Sequence, residues 1–271
     1  FVAAFIFTVE TTNFFMLYHC SSFASNYGIS ENKHTSEDLY KVTVYLIEKT
    51  NKSAKNITRD VDNHFVLTSD LNSVSKSAMQ NLGDKYPSLK GYYPNPKPLA
   101  FSGIVTQLNL LGIYFPFSVE ANYNKYMYDS DKPSTICHEL AHLKGWIQED
   151  EANFISYLAC INSENPEFVY SGYLSAVEYL ISSDFDLTSD EHSMLYASID
   201  ENVRFDSRES HVIFREARKS KVGETLSEVS DTAIEVSLKV NGVSDGAKSY
   251  GRFVDLLLNY YLDDEGNIIE Y

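Results

Sequence analysis

Cysteine is scarce in this chain of 271 residues, and basic side chains are outnumbered. Cys20, Cys137 and Cys160 are odd in number, far apart and without C-x-x-C spacing, which argues against a disulfide framework and against a zinc–cysteine site. Cys137 and Cys160 read instead as small packing residues. The 22 Lys and Arg against 38 Asp and Glu leave a net charge of −16. That balance argues against a broad basic face for nucleic acid or for an anionic membrane surface, and it fits a domain facing away from the cytoplasm. No apolar run approaches the length of a membrane span, mean hydropathy is −0.26, and there is no internal repeat or low-complexity tract. With 44% hydrophobic residues the chain can bury one large core or two small ones.

What is present is concentrated at residues 138 to 142, which read HELAH. Side chains at i and i+4 of a helix share a face about 6 Å apart, so His138 and His142 can grip one ion from the same side. Glu139 then points beside the metal, where a carboxylate can take a proton from zinc-bound water. A random chain of this composition would show the pattern on the order of once in a hundred tries. Its context is helical: Pro133 and Ser134 offer a start, with Ser134 as the expected N-cap. Ile136, Leu140 and Leu143 form an apolar stripe, and Gly145 supplies the stop.

A catalytic zinc site needs a third protein ligand, and Glu149, Asp150 and Glu151 compete for the role. If a second helix starts near Gln148, Glu149 shares its stripe with Ala152, Asn153, Ser156 and Cys160, small or polar groups that permit close approach to the HELAH helix. Glu151 shares the apolar face of Phe154, Ile155 and Leu158. The expectation is therefore Glu149 as ligand, with Asn153 one turn on orienting it or a ligand histidine. Glu151 stays open as the alternative, and Asp150 reads as a partner of the helix N-terminal dipole.

The stretch TICHELAHLKGWIQEDEANFISYLAC at 135 to 160 resembles an uncharacterised bacterial family of membrane-anchored H-E-x-x-H proteins, a domain-of-unknown-function family within the zincin metallopeptidases. IYFPFSVEANYN at 113 to 124, FVYSGYLSAVEYL at 168 to 180 and NGVSDGAKSYGRFVDLLL at 241 to 258 resemble it too. The resemblance implies the zincin fold and its metal site, not the substrate. In the wider group of glutamate zincins the third ligand lies in an E-x-x-x-D or E-x-x-x-N pattern, which Glu149 and Asn153 fit. The short spacing from His142 to Glu149 departs from the best-known members. The similar family also carries N-terminal transmembrane helices, so the apolar opening FVAAFIFTV is expected to be the trailing end of one, with residues 1–28 a juxtamembrane segment.

The rest, 29–271, reads as a mainly helical α+β zincin-like domain with a small sheet and a possible sub-boundary at YPNPKP, 93–98. Helices are expected from Ser36 to about Lys55, capped by Thr35 or Ser36, and from Ser69 to Leu82. Further helical segments follow near 166–182, 189–201, 208–219, 223–240 and 249–262. One strand is expected, Ile113 to Val119, with Pro116 confining it to a sheet edge where an extended peptide could pair. Glu120 and Asn122 at its end are expected to line the cleft, in an order that resembles the amine-holding motif of some zinc aminopeptidases.

An oxyanion donor is also required. Tyr250 and Arg252 in KSYGR are the first choice, ahead of Tyr170, Tyr173 and His211, whereas His19, His34, His64 and His192 have no partner at ligand spacing. The expected protein is thus a zinc-dependent peptidase acting on peptide or protein substrates, tethered by a membrane segment and extracytoplasmic. It holds Zn2+ through His138, His142 and Glu149, with Glu139 as general base. The rival reading is a membrane-linked zinc-binding sensor or interaction domain without turnover, and an intact Glu139 favours the enzyme.

Overall fold

The computed structural model describes residues 4, 8–9, 11–29, 32–183, 187–219, 225 and 249–270, and the side chains of residues 13, 249 and 250 lie outside that description. The helix expected near 223–240 falls outside the described residues. Those described form a mainly helical fold with one small three-stranded sheet.

Local chemistry explains most of the helix ends. The first long helix follows α1 (Phe23–Tyr27) and runs Ser36–Ala54 (α2). Thr35 and Asp38 close a reciprocal capping box at its start. Its stripe of Leu39, Val42, Leu46 and Ile47 is fully buried, each such side chain contributing about 1.5–3 kcal/mol relative to exposure. The next helix starts at Leu71 and not at Ser69, because Asp70 takes the cap while Ser69 is engaged by Glu167. It ends at Lys85 (α3, Leu71–Lys85).

YPNPKP delivers β1 (Lys97–Pro98) into the sheet, and the short α4 (Ser102–Gln107) follows. The expected strand Ile113–Val119 is corrected to a hairpin. β2 (Gly112–Phe115) stops before Pro116, which has no N–H to continue a ladder. The chain turns with Val119 at φ 55° and returns as β3 (Glu120–Tyr123). The strand order β1-β3-β2 leaves β2 at an edge.

The HELAH helix α5 (Lys132–Leu143) packs against β2 and β3 on one side and against α3, α6 (Glu149–Ile161) and α7 (Pro166–Ile181) on the others. Its N-cap is Asp131, two positions before the helix's expected first residues, because Pro133 fits the first turn where no N–H is needed. Ser134 is not the cap: it lies inside that turn, its N–H donating to Ser171 Oγ at 3.1 Å. Gly145 takes φ 94° just past the helix end, the left-handed conformation glycine accepts freely. The α5–α6 approach is close along the small-residue stripe, where Ser156 Oγ donates to the Ser134 carbonyl at 2.5 Å. Cys137 and Cys160 are both fully buried in this region as free thiols.

Beyond lie α8 (Ser189–Ser198), α9 (Glu201–Arg218) and α10 (Ser249–Tyr261). The segment expected as 208–219 is part of a longer helix because Asp200 caps it at Glu201. Asp206 on α9, fully buried, accepts two bonds from Arg59 and one each from Tyr128 and Tyr170, a network with no sequence signature.

Candidate metal centre

Two histidines one helical turn apart lie with ring centroids 4.5 Å apart and planes at 84°. Each has its Nδ1 tied down. His142 Nδ1–H donates to the Trp146 carbonyl at 2.8 Å, and a carbonyl can only accept. His138 Nδ1–H donates to Asn153 Oδ1 at 2.8 Å. The Asn153 amide nitrogen donates in turn to Tyr179 Oη at 3.2 Å, which fixes the orientation of the amide. Both rings therefore carry a proton on Nδ1 and turn Nε2 toward Glu149, which leaves Nε2 as the atom that a metal would take in place of any proton there.

Glu149, first residue of α6, faces those two nitrogens. Its Oε2 is 3.2 Å from His138 Nε2 and its Oε1 is 3.6 Å from His142 Nε2. Ligand atoms about 2.1 Å from a tetrahedral zinc stand about 3.4 Å from one another, and the two observed separations bracket that value. His138, His142 and Glu149 are the one group of His, Cys, Asp or Glu among the described residues that could hold a metal ion, all ligand atoms lying within 4.8 Å. Burial disfavours charge on Glu149, yet the two imidazoles hold its carboxyl well below the usual range. Burial likewise opposes charge on His142, but the Glu149 and Glu139 carboxylates push it up to about 9.

Glu139 sits between the two histidines in sequence and is 5% exposed. Burial pushes its pKa up to about 6, against the pull of His138 and His142; Glu149 raises it further and the Tyr114 N–H lowers it. Its Oε2 is buried with no hydrogen-bond partner among the described residues. Gly112 of β2 lies directly against its other oxygen.

The other expected site residues have partners of their own where the structure describes them. Glu151 is buried, its Oε1 accepting the Phe23 N–H at 2.5 Å, and burial raises its pKa to about 7. A carboxylate on the apolar face needed a partner, and a main-chain amide supplies it. Glu120 pairs with Lys97 and accepts from Ser118 at 2.9 Å, while Asn122 donates to the carbonyls of Ile113 and Glu120, so the bonds of both stay within the sheet. Arg252 Nε donates to Asp150 Oδ2 at 3.1 Å, tying α10 to the residue after Glu149. Asp150 thus has a side-chain partner beyond the helix dipole. The Tyr250 side chain lies outside the described residues. Tyr170 is committed to Asp206, and Tyr173 packs on Tyr157 with centroids 6.1 Å apart. His211 stands exposed on α9.

Several contributors escaped the sequence reading: the Trp146 carbonyl, Tyr179, the Tyr114 amide and Gly112. Main-chain groups leave no mark on a sequence, and Tyr179 is 26 positions from the amide it orients. Only Gly112 left a signal, as a glycine opening the expected strand region.

The fold and site define a mainly helical protein with a three-residue group able to hold a metal ion. The family described as "Protein of unknown function (DUF3810)" matches residues 1–258, and the chain belongs to that family. No curated protein and no solved structure matches it.

Proposed function

We propose that this chain is a zinc-dependent metallopeptidase of the zincin type that hydrolyses peptide bonds. The observation that carries the reading is the convergence of His138 Nε2, His142 Nε2 and the Glu149 carboxylate at separations suited to one tetrahedral ion, with Glu139 buried beside them. Zinc, when bound, supplies Lewis acidity that polarises a substrate carbonyl and acidifies water.

The chain's own residues do the rest. His138 and His142 offer two neutral donors whose orientation is set by Asn153 and the Trp146 carbonyl. Glu149 adds one negative charge, half exposed and so open to solvent on the far side. Glu139 accepts the proton of the attacking water and passes it to the leaving amine. The Tyr114 N–H and the missing side chain at Gly112 hold its carboxyl in place. A structural site needs no such base.

The apolar run at the start of the chain and the acidic balance support a membrane tether with the domain outside the cytoplasm; no helix of the described residues is long and apolar enough to cross a membrane. A metal assay joined to an unbiased peptide-library screen tests the reading. Zinc at about one per chain with cleavage lost in Glu139→Gln is the expected result. Zinc bound tightly with no peptide cleaved by the wild type would favour the zinc-binding sensor.

A further inference from the structure

Phe23, far away in sequence, packs against residues that neighbour the candidate metal ligands. Phe23 opens α1 and is fully buried. Its ring meets Trp146 edge-on, with centroids 5.1 Å apart and planes at 86°. It also packs on Tyr86 at 5.0 Å and Phe154 at 6.3 Å. Its N–H donates to Glu151 Oε1 at 2.5 Å, a bond between residues 128 positions apart.

Three of these partners belong to the frame of the metal centre. Trp146 supplies the carbonyl that takes the His142 Nδ1 proton. Glu151 and Phe154 lie on α6, the helix that carries Glu149 and Asn153. The link between α5 and α6 has no helical ladder of its own, and Trp146 N–H reaches Ala141 O only at 3.3 Å. The indole Nε1 is buried without a hydrogen-bond partner among the described residues, so packing holds this side chain. Leu17 adds a second contact from the same segment, 3.6 Å from where a β-carbon on Gly145 would stand.

Resting on the metal-centre reading above, we propose that Phe23 is a positioning residue of the centre. It holds the Trp146 carbonyl and the first turn of α6 together, so that His142 Nε2 and the Glu149 carboxylate converge. Affinity for a divalent cation then depends on how residues 17–23 are seated against the domain. Groups that hydrogen-bond metal-ligating residues typically change metal affinity about 10–100-fold when lost, and Phe23 acts one contact further out, on Trp146 and, through Glu151, on the first turn of α6.

The test uses the full chain, Zn2+ as probe, and a matched control. Phe168, also fully buried, lies on α7 away from the α5–α6 link, so Phe168→Leu reports general loosening of the core. In chelator competition, Phe23→Leu is expected to weaken Zn2+ binding about tenfold or more, with Phe168→Leu within about threefold of wild type at a similar loss of Tm. The second readout needs no metal. The His142 Nδ1–H resonance should be sharp in wild type and Phe168→Leu and lost to exchange in Phe23→Leu. Equal affinity in the two variants with the His142 resonance intact in both overturns the proposal. A wild-type chain that binds no Zn2+ would remove the metal reading instead, and the His142 resonance alone would then decide on the brace. If Phe23→Leu does not fold, Phe23→Met carries the same comparison.

Discussion

Gly112 lies so close to Glu139 that a β-carbon built on it would stand 2.4 Å from Glu139 Oε1 and 2.8 Å from its carboxyl carbon. The edge strand and the Glu139 carboxyl thus occupy one space, and only a residue without a side chain lets them share it. Glu139 is 5% exposed, so its carboxyl has little room to retreat. Gly112→Ala should cost about 1–3 kcal/mol by overpacking and lower peptide hydrolysis at least about tenfold, with zinc content unchanged. Wild-type turnover in this variant would show that Glu139 is not placed by the strand.

The ligand set predicts a clean division between two neighbouring carboxylates. Glu149→Ala and His142→Ala should each lose most of the bound zinc by elemental analysis. Glu151→Gln should retain it, because the amide oxygen can still accept the Phe23 N–H. A zinc-free Glu151→Gln beside a zinc-replete Glu149→Ala would reverse the assignment.

Base and ligand roles separate in a second variant. Glu139→Gln keeps size and helix propensity, so zinc should stay while kcat falls at least about 100-fold. Undiminished kcat would rule out Glu139 as the proton acceptor.

Stability should respond to pH in an unusual direction. Asp131 is raised to about 7 by burial and by Glu178, against Ser210 and Ser130, and Glu178 is itself raised to about 7 by burial, against Ser207. Both bind protons more tightly when folded. Their contribution is therefore fully present below their unfolded values near 4 and is lost as pH rises through about 7. Thermal denaturation of the metal-free chain should show Tm falling between about pH 5 and pH 8, and Asp131→Asn should flatten that fall. A Tm that rises across the same range in wild type would contradict the placement of these two acids.

The network at Asp206 sets the largest single stability effect expected. Arg59 is 11% exposed and its bidentate partner Asp206 is fully buried. Asp206→Ala would strand the guanidinium and remove the acceptor of two tyrosine hydroxyls, at a cost of about 3–5 kcal/mol. Denaturant unfolding checks it, and a loss under about 1 kcal/mol would mean that Arg59 finds water.

Much of this was open to reading from the chain. Thr35 with Asp38, and the stripe of α2, lie within one or two helical turns, so local hydrogen bonding and 3.6-residue periodicity report them without help from the rest of the molecule. The same holds for His138 and His142, whose shared face follows from i, i+4 spacing, and for Gly145, whose left-handed φ ends α5. Pro116 told that β2 would be an edge, though not that it would end at Phe115, just before the proline, and fold back.

Convergence belongs to the tertiary structure. That Glu149 reaches both imidazoles while Glu151, two residues on, turns to the Phe23 amide depends on how α6 is set against α5, and that setting is a matter of packing between surfaces distant in sequence. Stripe chemistry narrowed the choice because small residues permit close approach, but permission does not specify an angle. The partners of the histidine Nδ1 atoms, the amide held to Glu139 and the space left by Gly112 come from main chain, or from the lack of a side chain. The sequence by itself determined which donors a metal could use and which carboxylate stands beside them, because both follow from helix periodicity. Only the folded chain decided which acid completes the set and what holds it there, because those contacts cross between elements and obey no period.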